Sequence, residues 1–276
     1  MLHSMVKNCC WRNLRSNSCW LFLFVIQATQ AQSWEATTVK AFDSEIVAVS
    51  IDFQENIFVA LADDQLLKLD KEGQELANFS QPNLAPFTSL EAQNSLNPFF
   101  FVRDNQQVVF LDRFLANPVV YDLNQWTSSF VWLASPSVDR QLWLLEIDPF
   151  RITKVDRFSG NVLHEVVLQI GFDLEGLVYF GASQQQLILV DQYQGIFIFD
   201  LFGNLIRKVE EEDASAVRLI GDQLYYSFGT SLIQIDLNSG EKKETALPDL
   251  CGSAIKMADS YLCINDDQLV WWNGKK

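Results

Sequence analysis

Carboxylates are the most plentiful reactive side chains of this 276-residue sequence, and several of them recur in turns between predicted strands. The second and third strands of each predicted repeat are joined by turns that carry Asp63, Asp64, Asp104, Asp148, Asp191, Asp266 and Asp267. A ring of such oxygens could hold Ca²⁺, which binds oxygen ligands. The simpler interpretation, which we favour, is that Asp begins turns because its side chain accepts backbone N–H bonds.

Aromatic residues share these turns. Phe150 and Tyr193 each lie two residues after one of the aspartates. An aromatic and acidic face would suit a sugar or peptide ligand, whereas packing between structural repeats is the competing interpretation. The predicted ligand-binding set is Asp64, Asp104, Asp148, Phe150, Asp191, Tyr193 and Asp266.

Other site chemistries have little support in the residues. Beyond residue 31 there is one histidine, His164, and there are two cysteines, Cys251 and Cys263. This supply is too small for a zinc site of His and Cys ligands. No G-x-S-x-G, G-x-x-x-x-G-K-[ST] or G-x-G-x-x-G pattern occurs, so neither a nucleophile elbow nor a phosphate loop is indicated. We assign no catalytic residue and favour a protein that is not an enzyme.

The elements that would position the turns are strands in a repeating pattern. Two apolar residues, a variable position, an apolar residue and Asp recur at Leu66–Asp70, Val108–Asp112, Ile152–Asp156, Ile196–Asp200 and Leu232–Asp236, with a degenerate copy at Leu269–Asn273. The copies begin 36 to 44 residues apart. A period near 40 residues in an all-β pattern predicts a β-propeller, in this chain with six blades.

The last copy stops short of an outer strand, while an extra strand precedes the first blade. The sequence ends soon after Leu269–Asn273, and Trp34–Phe42 has no blade of its own. We therefore predict that Trp34–Phe42 is the outer strand of the last blade, which closes the ring and removes an exposed edge.

The N-terminal segment resembles a targeting sequence. Lys7, Arg12 and Arg15 precede the apolar stretch Cys19–Ile26, and Thr29-Gln30-Ala31 supplies small residues. We predict a signal peptide over residues 1–31, with the propeller over 32–276 and the mature protein periplasmic or secreted. An uncleaved N-terminal anchor is the alternative. No later segment is long and apolar enough to span a bilayer.

Charge limits the partners. Beyond residue 31 the chain has 17 Lys and Arg against 35 Asp and Glu, a formal charge of −18. Such a surface repels phosphate backbones and anionic lipid, so we expect no nucleic-acid partner and a soluble protein, most simply a monomer.

The two cysteines beyond residue 31 lie in a predicted final hairpin. Its strands are Gly252–Ala258 and Tyr261–Asn265, and a turn at Asp259-Ser260 would place Cys263 opposite Lys256 or a neighbour rather than opposite Cys251. We therefore expect two buried free thiols, with a disulfide as the less favoured alternative.

Two resemblances accompany these patterns. Asn56–Ala60 followed by Leu67–Gly73 resembles an NHL-type repeat, loosely matched in all six copies. Asn97–Arg113, with an extension through Asp191–Gly203, is similar to an uncharacterised family of exported propellers from Bacteroidota-type bacteria. The resemblance implies a propeller that serves as a binding platform, and it transfers no catalytic residue.

Taken together, the residues and the resemblance predict a soluble exported propeller that acts as a protein-interaction or ligand-binding module in the cell envelope. Its partner would be an envelope protein, a small ligand or a glycan held by turn aromatics, with no cofactor. The alternative is a Ca²⁺-dependent propeller hydrolase or lactonase that uses the carboxylates of the channel face.

Overall fold

Six four-stranded antiparallel sheets form the fold in the computed structural model, which describes residues 34–80, 85–94, 96–137, 139–248, 251–258 and 260–274. Within these ranges there is no α-helix, so no helix is available to cross a membrane. The predicted six-bladed β-propeller is confirmed. The predicted signal peptide, residues 1–31, lies outside the described residues.

Each blade follows the order predicted from the sequence, from the strand nearest the axis outward. After β1 (Trp34–Ala41), blade 1 consists of β2 (Ile46–Ile51), β3 (Ile57–Leu61), β4 (Gln65–Leu69) and β5 (Glu75–Ser80). Blade 2 consists of β6 (Ser89–Glu91), β7 (Phe99–Val102), β8 (Gln107–Phe110) and β9 (Val119–Asp122). Blade 3 consists of β10 (Val131–Pro136), β11 (Leu142–Ile147), β12 (Phe150–Val155) and β13 (Val162–Val167).

The second half of the chain repeats this arrangement. Blade 4 consists of β14 (Leu177–Ala182), β15 (Gln186–Asp191), β16 (Gly195–Asp200) and β17 (Leu205–Val209). Blade 5 consists of β18 (Ser215–Ile220), β19 (Gln223–Phe228), β20 (Ser231–Asp236) and β21 (Lys242–Ala246). Blade 6 consists of β22 (Ser253–Lys256), β23 (Ser260–Asn265), β24 (Gln268–Gly274) and, as its outer strand, β1.

The core lies between neighbouring blades. Strands β3 and β15 are buried at every position, because each face of the sheet packs against another blade and neither meets water. One apolar cluster joins Ile57 and Leu69 of blade 1 to Leu262 and Trp271 of blade 6. Strands that are apolar on both faces are thus explained by packing of blade on blade.

Strand β1 closes the ring, as predicted. It pairs antiparallel with β24 from Trp34 opposite Gly274 to Ala41 opposite Gln268. The Phe42 N–H then donates to the Asp267 carbonyl at 2.9 Å. The strand therefore joins the first and last described parts of the propeller in a single sheet.

The turn between the third and outer strands makes the contact from one blade to the preceding one. In blade 4, Asp200 Oδ1 accepts the N–H groups of Phe202 (2.8 Å) and Asn204 (2.9 Å). Gly203 in this turn has φ +82°, and a Cβ there would lie 2.0 Å from Val166 Cγ1 in blade 3. Glycine is required by the backbone conformation and by the approach to blade 3.

The expectation of free thiols is wrong, because Cys251 and Cys263 form a disulfide with Cα atoms 5.4 Å apart. The Met257 N–H donates to the Ser260 carbonyl at 2.9 Å, so the final hairpin closes one residue earlier than predicted. Cys263 is consequently opposite Ala254 rather than Lys256. The register change moves Cys263 two positions towards Cys251, and the bridge becomes possible because Cys251 lies before the first residue of β22.

Candidate functional site: the central channel

The innermost strands of the six blades surround a channel of about 580 Å³. Its lining comes from every blade, through β2, β6, β10, β14, β18 and β22. These strands run in the same direction along the channel, because each begins after the connection from the preceding blade. The channel therefore has one end formed by the strand beginnings and one formed by the strand ends.

Apolar and polar side chains line the end formed by the strand beginnings, which we call the mouth. Four innermost strands have a bulge there, and Val47, Trp132, Val178 and the pair Ala216-Val217 are skipped in the pairing with the second strand. Val47 and Val178 line the channel and remain 42% and 45% exposed, beside the polar residues Gln192 and Asp213. A bulge re-aims a side chain out of the regular alternation, and the bulges of β2, β14 and β18 bring apolar groups to the mouth.

Buried polar groups gather at the opposite end, which we call the floor. Glu91 is the last residue of β6, and Arg218 of β18 reaches the ends of two further innermost strands. Arg218 Nη2 donates to the Ile51 carbonyl at 2.6 Å, and Nη1 donates to the Lys256 carbonyl at 3.4 Å. One side chain of blade 5 thereby links blade 1 and blade 6.

A second connection crosses the floor from blade 2. The Gln93 side-chain amide donates to the Leu219 carbonyl of blade 5, and the Gln93 N–H donates to Glu91 Oε1 at 2.8 Å. Arg218 Nε is buried without a hydrogen-bond partner in the described structure. The floor therefore consists of interlinked polar groups, of which Arg218 Nε is enclosed without a partner.

Burial controls the ionisation of this floor. It raises the pKa of Glu91, against the lowering effects of the Gln93 N–H and the Arg218 charge. It lowers the pKa of Arg218, with Glu91 opposing that change. It also raises the pKa of Tyr179, to which the Glu91 charge contributes. Tyr179 thus keeps its hydroxyl proton and can donate a hydrogen bond into the channel.

The predicted site residues do not converge on this channel. None of Asp64, Asp104, Asp148, Phe150, Asp191, Tyr193 and Asp266 lines it, although Gln192, the neighbour of Asp191, does. The turns that carry them join second and third strands, one step farther from the axis. In the ranges that the structure describes, no three His, Cys, Asp or Glu side chains come together in a way that could hold a metal ion.

Individual positions show why these side chains stay apart. Asp191 is fully buried, and its Oδ1 accepts the N–H groups of Tyr193 (2.8 Å) and Gln194 (3.1 Å), which is the turn-forming role favoured from the sequence. The Phe150 ring packs 5.4 Å from Phe172, between blades 3 and 4. Tyr193 is 52% exposed.

The remaining predicted residues lie on the surface side of their turns. Asp104, Asp148 and Asp266 are exposed, and Asp64 is half-buried with φ +65°. Asp266 borders a separate acidic groove together with Asp43, Glu45 and Asp267. Ligand binding by these residues, and the Ca²⁺-dependent alternative built on them, stay predictions.

Sequence reasoning missed Glu91, Tyr179 and Arg218. The available sign was a single charged residue inside an otherwise apolar innermost strand, as in Ala-Val-Arg-Leu-Ile around Arg218. Because a charge in the interior of a propeller must be paired or face a polar cavity, this residue indicates a polar site.

Comparison with known proteins identifies solved structures with a similar fold. No family model and no curated protein matches the chain. Among solved structures, the WD40 domain of Neurospora crassa Pan2 aligns with a TM-score of 0.59 at 8% identity, covering 88% of this chain and 96% of that one. Virginiamycin B lyase of Staphylococcus aureus aligns with a TM-score of 0.59 at 11% identity, covering 87% and 99%.

The same lyase has also been solved as a catalytically inactive histidine-to-alanine variant with quinupristin; it aligns with a TM-score of 0.57 at 11% identity, covering 87% of this chain and 99% of that one. At these identities the likeness shows the propeller fold alone. The chain is thus similar to propellers of the WD40 and streptogramin B lyase type.

Proposed function

We propose that this protein is a non-catalytic binding module whose central channel takes up a small amphipathic molecule. The observation that carries the proposal is the make-up of the channel: apolar groups at Val47 and Val178 in a mouth that also holds Asp213, and a floor built from Glu91, Arg218 and Tyr179. Apolar walls with a few convergent polar groups are typical of ligand pockets.

The floor favours a ligand with a neutral hydrogen-bonding head. The Arg218 charge is already offset by Glu91, so a charged head would bring an uncompensated charge into a buried site. An amide or hydroxyl head could accept from the Tyr179 hydroxyl. We therefore propose a molecule with an apolar body and an amide- or alcohol-type head.

Binding is favoured over lyase chemistry. The inactive lyase among the structural neighbours is a histidine-to-alanine variant. In the described part of this chain histidine occurs once, at His164, on the outer strand β13, and its Nε2 lies 2.7 Å from the Leu201 carbonyl. This histidine is therefore remote from the channel lining.

We further propose that the protein acts after export, in the cell envelope or outside the cell. The support is the composition of residues 1–31, with its basic residues followed by a short apolar stretch. Mass spectrometry of the protein recovered from periplasm and medium should give an N-terminus at Gln32. An intact N-terminus on protein from the cytosol would overturn this part.

The channel is tested by thermal shift with decanamide, and with decanoate as the charged analogue. Decanamide should raise the Tm, since a ligand at 100 times its Kd stabilises the folded state by about 2.7 kcal/mol. Val178→Lys, which places a charge in the mouth, should abolish the shift. Val167→Lys is the matched control, because Val167 is 57% exposed on the outer strand β13.

Decanoate should shift the Tm less than decanamide. The proposal fails if neutral amphiphiles of this kind give no shift, or if the shift is equal in wild type and Val178→Lys.

A further inference from the structure

Three exposed phenylalanines occupy one equivalent position in three successive blades. The N–H groups of Phe114, Phe158 and Phe202 donate to Oδ1 of Asp112, Asp156 and Asp200, at 2.9, 3.1 and 2.8 Å. Each is the second residue after the aspartate that begins the turn to the outer strand. The three side chains are 63%, 70% and 74% exposed.

The turn itself does not require phenylalanine. Blade 1 makes the same hydrogen bond with Glu72, whose N–H lies 3.0 Å from Asp70 Oδ1, and blade 5 makes it with Asn238, 3.1 Å from Asp236 Oδ1. Polar residues at this position therefore allow the same turn to form. Blades 2, 3 and 4 carry large exposed apolar side chains there, and turn formation does not explain them.

The outer strands that follow these turns show the same restriction to blades 2 to 4. Each begins with a pair of exposed aliphatic residues, and these pairs are Val119-Val120, Val162-Leu163 and Leu205-Ile206. In blade 5 the corresponding residues are Lys242-Lys243, and in blade 1 they are Glu75-Leu76. We call the three phenylalanines and these three pairs the aromatic band.

Contacts between blades link the turns that carry the phenylalanines to the preceding blade. The Phe202 ring of blade 4 lies 6.1 Å from the ring of His164 on the outer strand of blade 3. The turn of blade 3 packs through Gly160 on Trp126, whose ring lies 5.3 Å from that of Tyr121 on the outer strand of blade 2.

Two arginines beside the aromatic band indicate the charge of the partner that it would bind. The Arg113 guanidinium lies 4.5 Å above the Phe114 ring, and Arg157 lies 4.7 Å above the Phe158 ring. Among the described residues neither arginine has an ion pair. Guanidinium groups held on aromatic faces are preorganised to receive a carboxylate.

We propose that the aromatic band is a docking surface for a protein segment that presents apolar side chains alternating with carboxylates. This surface is independent of the channel and of its ligand. A protein segment is favoured over a membrane because it contacts only the band, whereas an anionic bilayer would also face the remainder of a chain with a formal charge of −18 beyond residue 31.

The test uses fluorescein-labelled 14-residue peptides in which Leu alternates with Glu, or Leu with Lys, and measures anisotropy at physiological salt. The Leu-Glu peptide should bind at least tenfold more tightly than the Leu-Lys peptide. Both the triple variant Phe114→Asn, Phe158→Asn, Phe202→Asn and the double variant Arg113→Gln, Arg157→Gln should weaken binding at least tenfold.

Phe53→Asn is the matched control, because Phe53 is 74% exposed in another aspartate-initiated turn, outside the band. It should leave peptide affinity unchanged. If the triple variant does not fold, the single phenylalanine variants and the arginine pair take its place, with circular dichroism as the check.

Three results would overturn the proposal. One is equal affinity for the two peptides, or affinity that the band variants do not alter. The second is band-dependent sedimentation with phosphatidylglycerol vesicles in the absence of peptide binding, which would assign the surface to lipid. The third is concentration-dependent dimerisation that the triple variant abolishes without peptide binding, which would assign it to a second copy of this chain.

Discussion

Two glutamates of this protein have pKa values that shift in opposite directions, because desolvation and hydrogen bonding are balanced differently at each. Burial raises the pKa of Glu146, but hydrogen bonds from Arg151, Thr127 and Thr153 outweigh it, and the pKa is lowered overall. Arg151 Nε lies 2.6 Å from Glu146 Oε2, and Thr153 Oγ1 lies 2.5 Å from the same oxygen. At Glu91 desolvation outweighs the hydrogen bonds from Gln93, Ala92 and Ser50 and the Arg218 charge, so its pKa is raised. Glu146 is satisfied within blade 3, whereas Glu91 lies in the lining of the channel.

A prediction about pH belongs to the turn aspartates. The Ser159 N–H and hydroxyl hold the pKa of Asp156 below its ordinary value. A depressed carboxyl pKa stabilises the folded state above the unfolded pKa of about 3.9, and this contribution is lost as pH falls through the folded pKa. Asp156→Asn should therefore lower the free energy of unfolding at pH 7, with a deficit that shrinks below about pH 4.

Urea unfolding at pH 7, 4 and 2.5 measures this deficit. Asp63→Asn is the control, since in the described part of the chain Asp63 accepts from the Gln65 side chain and from no backbone N–H. A deficit for Asp156→Asn that is the same at all three pH values would contradict the prediction.

A second residue prediction concerns the contact between blades at Gly203. Alanine at Gly203 or at Gly221 must adopt a positive φ, which costs roughly 1–2 kcal/mol, but only at Gly203 does the new Cβ collide with a neighbour, Val166. Gly203→Ala should destabilise the protein by about 1–3 kcal/mol more than Gly221→Ala. Equal unfolding midpoints for the two variants would show that Val166 of blade 3 shifts to accommodate the added methyl group.

At the scale of the strands, the fold followed from the sequence and the site did not. The repeat ending in Asp112, Asp156 or Asp200 predicts third strands because local turn chemistry determines it. At the channel floor the charges of Glu91 and Arg218 influence each other from blades 2 and 5, and no local sequence pattern predicts an interaction between residues so far apart in the chain. The disulfide was missed for a related reason, since moving one hairpin turn by a single residue changes every opposite residue in the pair of strands.

The disulfide gives a prediction at this scale. It closes a loop between Cys251 and Cys263 at a sequence separation of 12, and a loop of this size contributes about 3 kcal/mol by restricting the unfolded chain. Cys251→Ser with Cys263→Ser should lower the Tm, and dithiothreitol should lower that of wild type but not that of the variant. A Tm of wild type that is insensitive to dithiothreitol would contradict the bridge.

The closing strand β1 gives a second prediction at this scale. A chain that begins at Asp43 lacks β1 and leaves the edge of β24 unpaired, so it should lose cooperative melting or aggregate, because an exposed edge strand recruits other chains. A chain that begins at Ser33 is the reference. Unchanged melting of the shorter chain, measured by circular dichroism and light scattering, would show that the ring does not need this strand.

At the scale of the whole molecule, Arg218 joins blades that are far apart along the chain. Its guanidinium donates hydrogen bonds to the Ile51 and Lys256 carbonyls and offsets the charge of Glu91. Arg218→Met should destabilise the protein by about 1–3 kcal/mol, because it removes the donors to the Ile51 and Lys256 carbonyls and the positive charge that offsets Glu91. Glu91→Gln in the same chain should restore part of this loss, measured as a double-mutant cycle in urea. Strictly additive effects would show that the two side chains do not interact.

The closing sheet also sets an order of events during synthesis. Strand β1 is made before blade 1, whereas its partner β24 is made after blades 1 to 5. Blade 6 cannot be completed until β24 has been made, so a growing chain can complete blades 1 to 5 before the ring closes. While it waits, β1 carries Glu35, two threonines and Lys40 rather than an apolar run, a composition that discourages pairing with other chains. Ring closure in this protein is therefore a late, long-range step and a natural point at which a truncated chain would be recognised as unfinished.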